Sequence, residues 1–284
     1  MRQREKGAPE NAPVKLPTAK VYYNMVYQGQ KHNPDADPAE PPALPSRVSW
    51  HHRAVAAAVL AWVAANLILS WIFGDDLKSY SVLARFWIGL IPIHVAAFGA
   101  VLMVLAGDDE QKGQRLRALD LAPLPRNFPR VAKVSALAAL CFFPVTAALN
   151  LVAAWLIRQS GAEPQLPPIA EFLQGMDKFP MVVSMIIGAV LVAPIVEEIL
   201  FRLVFYEAVR PVGAGAAAVL TATAFALLHG TVVQFAALFG LALLLQYMRH
   251  RYKTLWSPIL LHMTFNAASL LLFLYLSKHA SEAL

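Results

Sequence analysis

The chain of 284 residues is 58% hydrophobic and only 15% charged, a balance that excludes an ordinary soluble globular domain. A net charge of +6 would point to nucleic acid in a soluble protein, but here the basic residues fall mostly in loops between apolar segments, where they set membrane orientation. The expected fold class is an all-α polytopic transmembrane helix bundle of about seven spans around a polar cavity, with the lipid bilayer and not nucleic acid as its surroundings. The single cysteine, Cys141, lies in an apolar segment, so a disulfide framework within the chain is excluded and the residue reads as packing.

Residues 1–53 hold eight of the twenty prolines and present no continuous apolar face, which predicts a disordered cytoplasmic tail without a signal-peptide core. Ala54 to Phe73 follows, twenty residues without a charge, enough at about 1.5 Å per residue to cross about 30 Å of hydrocarbon. Further uncharged runs cover Phe86 to Gly107 and Val134 to Ile157, and a fourth span runs from Phe179 to about Tyr206. From Pro211 to Met248 there are 38 residues with no Asp, Glu, Lys or Arg, too many for one helix, and a break at His229 and Gly230 divides them into two short ones. The last span covers Thr254 to Ser277. Pro92, Pro144, Pro194 and Pro258 fall inside these spans, where neighbouring helices must satisfy any carbonyl they free.

The pattern divides the chain into the tail, N-terminal helices and loops over 54–178, a chemical core over 179–277 and a short C-terminal tail at 278–284. Twelve Lys and Arg residues fall at one set of helix ends, among them Lys112, Arg115, Arg117, Arg126, Arg130 and Lys133, while Lys78, Arg158, Lys178 and Lys278 lie at the other. This asymmetry predicts a cytoplasmic N-terminus.

Charge inside the fourth span needs a reason, because each such group costs on the order of 3 kcal/mol near the bilayer centre. Phe179 to Val196 is uncharged, and then Glu197, Glu198 and Arg202 follow. Glu198 and Arg202 are four apart and can pair on one helix face. Glu197 projects about 100° away, has no local cation, and is left available as a general base. Downstream, Phe225 precedes His229 by one turn, and His262 precedes Asn266 by one turn. An acid, two imidazoles and an amide on three helices are parts that activate water and stabilise an oxyanion. His94, Asn66 and Asn150 read instead as hydrogen-bonding glue between helices. Ala214, Ala218, Ala222 and Ala226 form a small-residue ridge suited to close packing.

The order Glu197-Glu198-x-x-x-Arg202, then Phe225-x-x-x-His229, then His262-x-x-x-Asn266 resembles the CPBP family of intramembrane proteases, also called the CAAX-protease or Abi family. The run from Leu255 to His262 looks like that family's last motif, and Leu203 departs from the glycine that many members carry after the arginine. The resemblance covers roughly residues 180–275. It implies an intramembrane endopeptidase that cuts a membrane-associated protein or peptide, in a plasma or inner membrane. Glu197 and His229 would activate water, His262 and Asn266 would stabilise the oxyanion, and Glu198, Arg202 and Phe225 would support them.

Two questions stay open at this level. Glu197, His229 and His262 form a set able to hold Zn²⁺, against a scheme with no cofactor in which Glu197 is the base. An ion-coupled transporter, or a silent membrane scaffold or immunity protein of the same fold, also places ionisable residues at membrane depth.

Overall fold

The computed structural model describes residues 50–107, 119–121, 124–164, 179–229 and 231–282, so the expected N-terminal tail and several loop lysines and arginines lie outside the described residues. Among the described residues seven main helices follow one another: α1 Trp50–Phe73, α2 Val82–Ala106, α3 Phe128–Gln159, α4 Phe179–Val212, α5 Ala214–Leu228, α6 Val232–Tyr252 and α7 Trp256–Glu282. There is no strand among the described residues. All but α5 are long and apolar enough to cross a membrane, which makes this a multi-pass membrane protein.

The boundaries follow local chemistry. Ser81 caps α2, its hydroxyl accepting the Ala84 N–H at 3.2 Å, and α3 opens with Pro129, whose missing N–H costs nothing in a first turn. Pro258 is the third residue of α7, so it starts a helix and does not kink one. The predicted break at His229 and Gly230 falls between α5 and α6. Cys141 faces outward from α3 and is not packed as expected, since an apolar environment surrounds either face of a spanning helix.

Helix α4 is the axis of the bundle. It touches α1, α2, α5 and α7, whereas α3 packs on α6 and α7, and α5 packs on α6. Across the most apolar window of each helix, 39% of α4 is buried against 6% of α1, so α4 is far better placed than α1 to carry polar groups out of contact with lipid. The approach of α2 to α4 depends on Gly188, where a Cβ would come within 2.7 Å of the Phe86 ring. On α5 the buried face runs through Ala217, Thr221 and Phe225 together with Ala222 and Ala226, while Ala214 is exposed, so only the latter half of the alanine ridge is used.

The start of α7 is fixed by a clamp. Asp120 pairs with Arg249 at 3.0 Å and accepts the Leu255 N–H at 3.2 Å, and the Trp256 indole N–H donates to the Leu121 carbonyl. Ser135 and Ser257 share a buried hydrogen bond at 3.1 Å. These contacts set the depth of His262, less than two turns further along.

Candidate active site

The residues on either side of Glu197 and Glu198 do not wind as an ordinary α-helix. Ile186–Val192 and Ile199–Phe205 are π-helical turns, in which the Ala193 N–H bonds the Gly188 carbonyl and the Tyr206 N–H bonds the Phe201 carbonyl, each five residues back. Such turns are uncommon and recur at functional sites, because the widened turn re-aims side chains and frees backbone carbonyls. Pro194 has no N–H, and continuation of the five-residue register would have directed that N–H to Ala189. The Ala189 carbonyl instead accepts the Asn266 amide N–H of α7 at 2.8 Å. A neighbouring helix thus repairs a proline defect at membrane depth. Asn266 retains a second amide hydrogen.

On one side of α4 the groups are fully buried. Glu198 accepts the Arg202 Nε–H at 2.9 Å, the pair expected from their spacing, and its other oxygen lies 2.9 Å from His262 Nδ1. With Glu198 serving as an ion-paired carboxylate, His262 donates from Nδ1 and presents Nε2 elsewhere. The Arg202 guanidinium lies over the Phe225 ring, 5.1 Å from its centroid, and that ring also contacts Phe201, His229 and His262. Phe225 is therefore the apolar hub that holds both histidines and the arginine in register. Four residues from three helices close on one another here, so removing either charge would leave its partner buried and uncompensated.

On the other side Glu197 is 18% exposed and faces a cavity of about 370 Å³. Its Oε1 lies 3.5 Å from His94 Nε2 of α2, and its Oε2 lies 3.9 Å from His262 Nε2. The second distance is beyond a direct hydrogen bond and within reach of one bridging water. His229 lines the same cavity, with its Nδ1 bound to the Phe225 carbonyl at 2.7 Å. A carbonyl oxygen can only accept, so the His229 proton is on Nδ1 and its Nε2 is free to act as a base when the ring is neutral.

The structure thus brings together Glu197, Glu198, Arg202, Phe225, His229 and His262. The amide nitrogen of Asn266 is directed to the backbone of α4. Sequence reasoning assigned His94 to interhelical glue, and the structure places it in a contact between α2 and α4: its ring is held by its own helix through the Leu90 carbonyl at 2.8 Å, and its far nitrogen lies 3.5 Å from Glu197, a partner the sequence did not name. The available signal was a histidine at mid-span beside Pro92. Asn66 bonds the Trp62 carbonyl of its own helix at 2.8 Å and bridges no helices among the described residues.

Among the described residues no group of three or more His, Cys, Asp or Glu side chains is disposed to hold a metal ion. His262 meets Glu198 and His229 meets a carbonyl through Nδ1, which leaves each Nε2 toward Glu197 and its cavity; a zinc-ligating histidine and a metal-free base are held in this same way. Without a metal, these side chains offer proton transfer and hydrogen-bond donation.

Comparison with known proteins gave one family match, to the model described as type II CAAX prenyl endopeptidase Rce1-like, over residues 179–268. Neither the curated proteins nor the solved structures yielded a match. The matched segment runs from the start of α4 into α7 and contains the two glutamates, Arg202, Phe225, His229, His262 and Asn266. Over this core, about a third of the chain, the protein is similar to the Rce1-like CAAX prenyl endopeptidases, which supports the CPBP family of CAAX-type proteases.

Proposed function

We propose that the chain hydrolyses a peptide bond of a membrane-associated protein or peptide, using a water molecule held at Glu197. The reading rests on one observation above all: the Glu197 carboxylate, from α4, faces a cavity shared with His229 of α5 and lies within one water of His262 of α7. In this scheme Glu197, assisted by the free Nε2 of His229, takes a proton from water while the oxygen attacks the scissile carbonyl. His262 and the second amide hydrogen of Asn266 face the developing oxyanion, a donation that requires the doubly protonated His262 ring. The proton taken by Glu197 then passes to the amide nitrogen as the C–N bond breaks. Glu198 and Arg202 hold His262 in place.

The chemistry belongs to the core over 179–277, and α1 and α2 add the apolar wall of Val55, Ala58, Val59, Trp62 and Ala97. This wall suits a substrate that arrives from the lipid and carries a hydrophobic group beside the scissile bond. The asymmetry of basic residues supports a cytoplasmic N-terminus. The test compares protein termini in the proteomes of cells carrying the wild type and Glu197→Gln. New uncleaved termini in the variant are expected. An identical set of termini, with ion-coupled flux lost instead, would replace the protease reading by the transporter one.

A further inference from the structure

Helices α1 and α2 lie outside the segment that defines the family, yet α2 places a histidine on the carboxylate of Glu197. The two oxygens of Glu197 have different neighbours. Oε1 is 3.5 Å from His94 Nε2, and Oε2 is 3.9 Å from His262 Nε2. His94 is itself locked, because its Nδ1–H donates to Leu90 at 2.8 Å and so prevents the ring from flipping. It is a rigid group, about one-fifth exposed at the cavity wall, that presents a single nitrogen to a single oxygen.

We propose that His94 is a positioning residue for Glu197, which holds Oε1 so that Oε2 alone is turned toward the water between Glu197 and His262. The proposal rests on the reading of Glu197 as the base. A carboxylate with both oxygens unrestrained samples rotamers in which neither is aligned with water, and a displacement of about 1 Å at a reacting atom can cost about 100-fold in rate. The contact at 3.5 Å is long for a hydrogen bond, as catalytic contacts often are without substrate, and tightens when the cavity fills. The charged and titratable groups facing this pair are His229 from α5 and His262 from α7. The residues that α1 contributes to the cavity wall, Val55, Ala58, Val59 and Trp62, carry none.

The test uses the full chain in lipid nanodiscs, with an internally quenched peptide that carries a farnesylated CAAX terminus as the probe. His94→Phe is expected to lower kcat by about 10- to 100-fold with KM within about twofold, and His94→Gln, whose amide can still donate to Oε1, to recover most of the loss. On a Glu197→Gln background His94→Phe should cost nothing further, since a residue that acts only through another is silent once that other is removed. A second measurement needs no substrate and does not depend on the folding of His94→Phe. In protein with ¹⁵N-labelled histidine, the His94 Nε2 resonance should move on Glu197→Gln and stay on His229→Gln. Additive losses in the double variant, a rise in KM with kcat unchanged, or a His94 resonance indifferent to Glu197→Gln each overturn the proposal. Full cleavage by Glu197→Gln overturns the catalytic reading beneath it, and a wild type that leaves the probe uncut removes that substrate class while the resonance still decides the contact.

Discussion

Glu197 and Glu198 are neighbours in the chain and face opposite surroundings. Glu198 is wholly buried and spends both oxygens on Arg202 and His262 at 2.9 Å, whereas Glu197 is 18% exposed to a cavity and has no side-chain partner closer than 3.5 Å among the described residues. One carboxylate is consumed by the fold and the other is kept available. Rotation of about 100° between adjacent helical positions is enough to produce this division, provided the helix has a packed side and a hollow side. The buried pair also holds the imidazole of His262, whose other nitrogen lies 3.9 Å from Glu197.

The largest effects should separate the two glutamates by kind. Glu197→Gln is expected to lower cleavage by about 1,000-fold, within the range of a lost general base, while thermal melting stays near that of the wild type. Glu198→Ala should act the other way round and cost about 3–5 kcal/mol of stability, because Arg202 and His262 lose their shared buried partner. A loss of activity in Glu198→Ala without loss of folded yield would break the division. Next, Gly188→Ala should cost about 1–3 kcal/mol in a melting or denaturation series, by forcing α2 away from α4 at Phe86. A smaller effect, about 1–2 kcal/mol, is expected for Asn266→Ala, which strands the Ala189 carbonyl. That loss should shrink in the double variant with Pro194→Ala, where a backbone N–H returns. Last, Asp120→Asn should cost less than about 1 kcal/mol, since its pair with Arg249 is partly solvated.

Much of the architecture was legible because a bilayer imposes length and apolarity on every span. The uncharged run at 54–73 and the break at His229 needed no knowledge of neighbours. The Glu198 and Arg202 pair was legible for a similar reason, being a spacing within one helix. Contacts between distant segments were not. His94 meets Glu197 across 103 positions of chain, and no periodicity in α2 announces it. The π turns were equally hidden, since Ile186–Val192 and Ile199–Phe205 read as ordinary apolar helix, and their stability depends on partners such as Asn266 that only the packed bundle supplies. Spacing placed His262 and Asn266 on one face, but it could not tell that one would turn to a carboxylate and the other to a backbone carbonyl.

Helix α5 has 15 residues, about 22 Å at 1.5 Å per residue, against about 30 Å of hydrocarbon. Lipid beside it must compress by roughly 8 Å or tolerate headgroups drawn inward, a hydrophobic mismatch confined to the flank where His229 ends the helix. On the proposed reading, a polar peptide backbone approaching from that flank meets a thinner apolar barrier than beside the six longer helices, so the truncated helix lowers the cost of delivering an extended substrate to the reactive depth.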